Sequence, residues 1–190
     1  MPRKPSFDRD DLINRARDVF WSRGWAGTSL KDLEQTLKLK PGSFYAAFGS
    51  KDALYELALE KYAEDGRARL EALASEVGAL EALKAHPKRI LDSDANAAKA
   101  CMLAKTYLEL HTHDHPLADR ADTLLSGMET LFEDLFHRAQ TDGDIAKDRD
   151  PKRLARRYQS DLLGMRVTAE RSKSDALAIA EEIADGLSAL

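Results

Sequence analysis

Residues 23–51 read RGWAGTSLKDLEQTLKLKPGSFYAAFGSK, and two short helices fit in this stretch. Leu30, Leu33 and Leu37 recur at helical spacing. Ser29-Leu30-Lys31-Asp32 has the form of a capping box with Asp in place of Glu, and Thr28 is an equally good cap. The run ends near Leu37, and Lys38-Leu39-Lys40 forms a turn. Pro41 is favoured in a first helical turn and opens a second run, Pro41 to Phe48. Gly49 stops that run and Ser50 caps the next. Upstream, a helix from about Asp8 to Arg23 places Leu12, Ile13, Ala16, Val19 and Phe20 on one face. Asp8, Asp10 and Asp11 suit its dipole, and Gly24 ends it. Two short helices packed on a first one make a three-helix unit able to put one helix into a DNA major groove.

Such a groove needs a short helix whose first residues are small, so that the backbone approaches closely; Pro41, Gly42 and Ser43 supply that. Backbone N–H groups at the helix starts marked by Thr28, Ser29 and Ser50 suit phosphate. Lys40 and Lys51 add positive charge on either side of the third helix. Leu30, Leu33, Leu37 and Phe48 read as core, whereas Tyr45 suits either packing or a phosphate contact. The charge distribution agrees. The net charge of −4 is split unevenly: residues 1–51 hold ten Lys and Arg against six Asp and Glu, and the remainder holds 19 against 27. A basic head on an acidic body is expected where one end meets phosphate.

Beyond residue 51 the periodicity stays helical, so the expected fold class is all-α, with about nine helices. A long fourth helix runs from Ser50 to about Glu76. A fifth, about Leu80 to Leu91, is expected to be interrupted or bent by Pro87, and Asp92 to Asn96 is a polar connection. The sixth covers about Ala97 to Leu110, the seventh about Leu117 to Gln140, the eighth about Pro151 to Arg171 and the ninth about Asp175 to Leu187. No run of about 18 apolar residues suggests a membrane span. The basic N-terminus lacks the apolar stretch of a secretory signal. One cysteine, Cys101, excludes an internal disulfide and fits a reducing cytoplasm. His111, His113 and His115 have no specific ligand spacing, so no metal and no cofactor are expected. An all-helical enzyme is the rival reading, but no nucleophile–base set, metal motif or phosphate loop supports it.

Leu12 to Tyr62 resembles the DNA-binding head of the TetR family. The resemblance rests on Ala16, Phe20, Arg23-Gly24-Trp25, Thr28-Ser29-Leu30 and Leu33, followed by Pro41-Gly42-Ser43-Phe44-Tyr45, Phe48-Gly49-Ser50-Lys51 and Leu54. It implies a head at residues 1–51, a ligand-binding and dimerising body at 52–190, and a ligand-responsive repressor. It also implies that the third helix reads bases while Tyr45 and Lys51 touch phosphates. Many members carry a polar residue after the tyrosine. Here it is Ala46, which shifts readout toward Lys40, Ser43, Phe44 and the backbone.

The resemblance further implies a homodimer through helices eight and nine on a palindromic double-stranded operator, and an unidentified small-molecule effector among helices four to eight. Candidate wall residues are Tyr62, Cys101, Met102, Tyr107, Leu110, Phe132, Phe136 and Met165, with plain core as the competing reading. No convergent set of charges marks the ligand's chemistry. One branch of the family has Gly-Cys-Leu near the start of the sixth helix, and Ala100-Cys101-Met102 resembles it. A helix N-terminus with Lys99 and Lys105 nearby would favour a reactive thiolate; an inert buried thiol is the alternative.

Overall fold

The computed structural model describes residues 8–92 and 99–190. Regular structure among them is helical throughout. The head comprises α1 (Arg9–Arg23), α2 (Leu30–Leu37) and α3 (Pro41–Phe48). Asp8 caps α1, its side chain accepting from the Asp10 amide. At α2 the capping box forms in both directions: the Asp32 amide donates to Ser29 Oγ (3.2 Å) and the Ser29 amide to Asp32 Oδ2 (2.9 Å). The Ser29 hydroxyl (2.5 Å) and the Ser29 amide both donate to the Asp32 carboxylate and hold it below its usual range. Ser29, rather than Thr28, is therefore the cap.

The body follows: α4 (Lys51–Val77), α5 (Ala79–Asp92), α6 (Met102–Leu110), a 3-10 turn (His111–His113), α7 (Pro116–Asp142), α8 (Pro151–Arg171) and α9 (Lys173–Ser188). Ser50, Asp150 and Ser172 cap α4, α8 and α9 through their side chains.

Two expectations are corrected. Helix α5 runs through Pro87 as one helix, so the interruption expected there does not occur. Proline lacks the N–H that would bond the Leu83 carbonyl, and the hydroxyl of Tyr158 on α8 supplies that hydrogen bond instead (2.7 Å). Helix α6 begins at Met102, with Cys101 as its N-cap. The amides of Lys99 and Ala100 donate to Glu170 Oε1 on α8 (2.7 and 2.8 Å), which holds this segment in a bend. Most of the expected polar connection, and Ala97, lie outside the described residues.

The core forms two clusters. One joins Phe20, Leu33, Phe44 and Phe48 of the head to Leu54, Tyr55 and Leu59 of α4, and continues into Met102, Leu103 and Leu110 of α6 and Leu117 of α7. The other joins Leu70 and Leu73 of α4 to Leu83, Leu135, Phe136, Tyr158 and Met165. Phe20 packs edge-on against Tyr55 (4.5 Å), whose hydroxyl meets Thr106 Oγ1 of α6 (2.8 Å). Burial pushes the Tyr55 hydroxyl's ionisation up to about 12, so it remains a hydrogen-bonding group. The head thus shares apolar packing with α6.

Candidate nucleic-acid interface and cavity

Helix α3 buries one face and leaves the other open. Phe44 is 0% exposed, whereas Tyr45 is 50% exposed and Lys40, Pro41, Gly42, Ser43 and Ala46 are also exposed. Gly42, Tyr45 and Ala46 share a face at i, i+3 and i+4. Phe44 was expected among the base-contacting residues; its ring is instead spent in the core, touching Phe48 (5.8 Å) and Tyr45 (5.7 Å). Thr28 is corrected likewise. It is 1% exposed and its hydroxyl donates to the Gly24 carbonyl (2.7 Å). Ser29 is exposed beside it.

Lys51 acts as a strut inside the head. Its ammonium donates to the carbonyls of Trp25 (2.9 Å) and Thr28 (3.2 Å) and sits 3.8 Å from a Trp25 ring centroid. Desolvation lowers its pKa. Much of the head's other charge is also committed. Arg15 bonds the Thr36 carbonyl, Arg17 pairs with Asp65 (2.7 Å), Arg23 pairs with Asp32 (3.0 Å), and Arg9 donates to the Ala47 carbonyl (2.9 Å). Lys31, Lys38 and Lys40 remain exposed with no ion pair among the described residues. Lys31 and Lys38 were missed in the sequence because a lone lysine there looks like any solvated charge.

Helix α6 ties body to head. Lys105 donates to the Trp21 carbonyl (2.7 Å), and Glu109 accepts from the amides of Trp25 (3.1 Å) and Ala26 (2.8 Å). The Trp21 indole donates to the Ala100 carbonyl (2.7 Å).

Next to these contacts lies a cavity of about 370 Å³. Of the expected wall residues, Tyr62, Cys101 and Phe132 line it. Met102 and Leu110 are buried in the first core cluster, and Tyr107 stacks on His111 (4.9 Å). Phe136 and Met165 instead line a separate groove along α8 and α9. The cavity also takes Arg17 and Trp21 from the head, and Arg69, His86, Arg89 and Arg166 from the body. A convergent charged set therefore exists, contrary to expectation. Its members are scattered over α1, α4, α5 and α8, and no spacing along the chain announces them. Burial, with Arg166 and Arg69 nearby, holds the His86 imidazole down to about 3. The three loop histidines do not converge: His111 meets the Tyr107 carbonyl, and His115 lies against Trp25 and Asp52.

The outer groove contains Leu154, Gly164, Met165, Ile179, Ile183 and Leu187. Gly164 and Gly186 face open space, and Val167 is 58% exposed. No helix among the described residues is long and apolar enough to cross a membrane.

Residues 12–58 match the family model described as bacterial regulatory proteins, tetR family. Residues 78–180 match the tetracyclin repressor-like C-terminal domain. An uncharacterized HTH-type transcriptional regulator, YezE, from Bacillus subtilis (strain 168) is 31% identical across 91% of this chain and 93% of its own. The HTH-type transcriptional repressor ComR of Escherichia coli (strain K12) is 24% identical across 88% and 82%. Among solved structures, a cysteine mutant of the TetR family transcriptional regulator CifR complexed with 26-base-pair operator DNA shares 31% identity. It superposes with a TM-score of 0.84 over 96% of this chain and 98% of that one.

Proposed function

The chain belongs to the TetR family of bacterial transcriptional regulators, and from that premise we propose that it is a ligand-responsive repressor which binds a palindromic operator as a homodimer. One observation carries the reading. Helix α3 presents Gly42, Ser43, Tyr45 and Ala46 to solvent from a head whose other side is locked in core, with Lys31, Lys38 and Lys40 free nearby. Small residues at the start of α3 let it enter the major groove, and the lysines and the Tyr45 hydroxyl meet phosphate. Ala46 offers apolar contact to a thymine methyl. Residues 1–51 are the reading unit and 52–190 the body, with α4 spanning the two.

Dimerisation falls to α8 and α9. Their apolar groove and the open space at Gly164 and Gly186 support close approach of a second copy. Two-fold pairing puts two α3 helices about 34–36 Å apart, one helical turn of DNA. The effector site is the cavity. Because Arg17 and Trp21 of α1 form part of its wall, an occupant bears directly on the head. It shifts the dimer between arrangements that fit and do not fit successive grooves.

A thiol-directed signal is a second reading, favoured by the place of Cys101 on the cavity wall directly after Ala100, whose carbonyl holds Trp21. Lys105, expected to activate the thiol, is occupied with the Trp21 carbonyl instead. Alkylation by iodoacetamide, with a C–S bond formed and iodide released, tests it: operator affinity unchanged after complete alkylation removes this reading.

Footprinting on DNA flanking the protein's own gene tests the main proposal. The expected result is a protected palindrome, weakening steeply with salt. Absence of protection by the folded protein, across such DNA at low salt, overturns it.

A further inference from the structure

We propose that the cavity takes a carboxylate-bearing ligand with an apolar body, the carboxylate seated on Arg166. The proposal rests on the reading of this cavity as the effector site. A volume of about 370 Å³ lies within the range of small-molecule sites. Trp21, Tyr62, Phe132, Leu73 and Met128 give it apolar walls for a hydrocarbon or aromatic body.

The charges select the other end of the ligand. Arg17 and Asp65 face each other at 2.7 Å and offset one another. Glu76 is exposed and screened by water. Arg69 and Arg89 stand at the wall without an ion pair among the described residues. Arg166 is more constrained. Its Nε is sequestered from solvent and has no hydrogen-bond acceptor among the described residues, while its guanidinium lies 5.6 Å from the Trp21 ring centroid. A buried charged donor without an acceptor is costly, and a carboxylate matches the planar guanidinium with two parallel bonds. Arg166 lines the cavity and forms no ion pair among the described residues, so the rest of its guanidinium fork is left for a ligand carboxylate. His86, held neutral by burial and by Arg166 and Arg69, adds no charge of its own, so the cationic character of the wall comes from the arginines. Because Arg166 rests on Trp21, whose indole holds Ala100, an anion drawn to Arg166 acts on the last turn of α1.

Calorimetric titration of the full-length protein with octanoate, decanoate and 1-naphthylacetate, each beside its primary amide, tests the assignment. At least one carboxylate is expected to bind at least about tenfold more tightly than its amide. Arg166→Met keeps the stem against Trp21 and should abolish that preference. Arg166→Lys keeps a cation but removes the fork, and should shrink it, which serves if the methionine variant fails to fold. Equal affinity of carboxylate and amide, or a preference that survives both substitutions, overturns the proposal. An amide that binds as well and also releases the operator leaves the effector site standing and removes only the anion. Silence from the whole series removes the anion as well, while the footprint still decides DNA binding separately.

Discussion

The Glu109 carboxylate on α6 accepts hydrogen bonds from the Trp25 and Ala26 amides, so a body helix caps the turn that follows α1 of the head. Gly24 is suited to this closeness: its φ is +77°, and a Cβ there would lie 2.7 Å from Glu109 Oε2. Glu109→Ala leaves two amides without this acceptor and is expected to cost about 1.5–3 kcal/mol, the range for hydrogen bonds to charged groups. It should also weaken the response of operator binding to effector. A denaturant midpoint equal to that of the parent, at equal m-value, would show that the cap contributes nothing.

Adjacent residues of α3 should behave oppositely. Phe44→Ala empties a fully buried site and should cost about 3–5 kcal/mol of stability. Tyr45→Ala removes a half-exposed ring and should leave the melting temperature nearly unchanged while lowering operator affinity markedly. Thermal melts beside mobility shifts separate the two. A Tyr45→Ala protein that binds the operator normally removes Tyr45 from the interface.

Local signals made the head legible in the sequence. Ser29 with Asp32, Pro41 at the start of α3, and Gly24 and Gly49 at helix ends act over a few residues, and the structure realises each. Asp150 before α8 is the same kind of signal. What escaped was set by long-range partners. Pro87 looked like a break because the hydroxyl that answers it lies on α8. The start of α6 depends on Glu170, about seventy residues away. The cavity charges come from four helices whose faces meet only after folding. Phe44 and Lys51 were expected at the DNA, whereas the burial of the one and the bonding of the other are facts of packing.

Lys38 and Lys40 should be visible in the salt dependence of binding. If each lysine meets one phosphate per protomer, Lys40→Ala reduces the slope of log K against log salt by about 0.9 per lost contact, or about 2 per dimer. Lys38→Ala should do the same without altering sequence preference. Titrations across a series of salt concentrations check this, and an unchanged slope places that lysine away from the backbone.

His86 gives stability a pH dependence. Its folded imidazole is held down to about 3 from an ordinary 6.5, so below 6.5 the unfolded chain takes up a proton that the folded protein refuses. The contribution is fully present above 6.5 and is lost as pH falls from 6.5 toward 3. His86→Asn should flatten this part of the stability profile, measured by denaturation at pH 7, 6, 5 and 4. Parallel profiles for the two proteins would mean that His86 is as free to ionise in the folded state as in the unfolded one.

The bond from Tyr158 to the Leu83 carbonyl exists because residue 87 is proline, and that dependence is itself testable. Both partners are buried, and burial holds the Tyr158 hydroxyl well above its usual ionisation range, so it stays a donor. Tyr158→Phe should cost about 1–3 kcal/mol by orphaning a buried carbonyl. In a Pro87→Ala background the new amide at residue 87 can bond Leu83 along the helix, so the same Tyr158→Phe change should cost distinctly less. The double-mutant cycle reads this coupling directly. Additive losses would mean that the hydroxyl contributes independently of Pro87, and no loss in either background would leave only the ring packing against Phe132 and Phe136. Sub-additive losses identify its hydroxyl as what keeps α5 continuous, and with it the placement of His86 and Arg89 on the cavity wall.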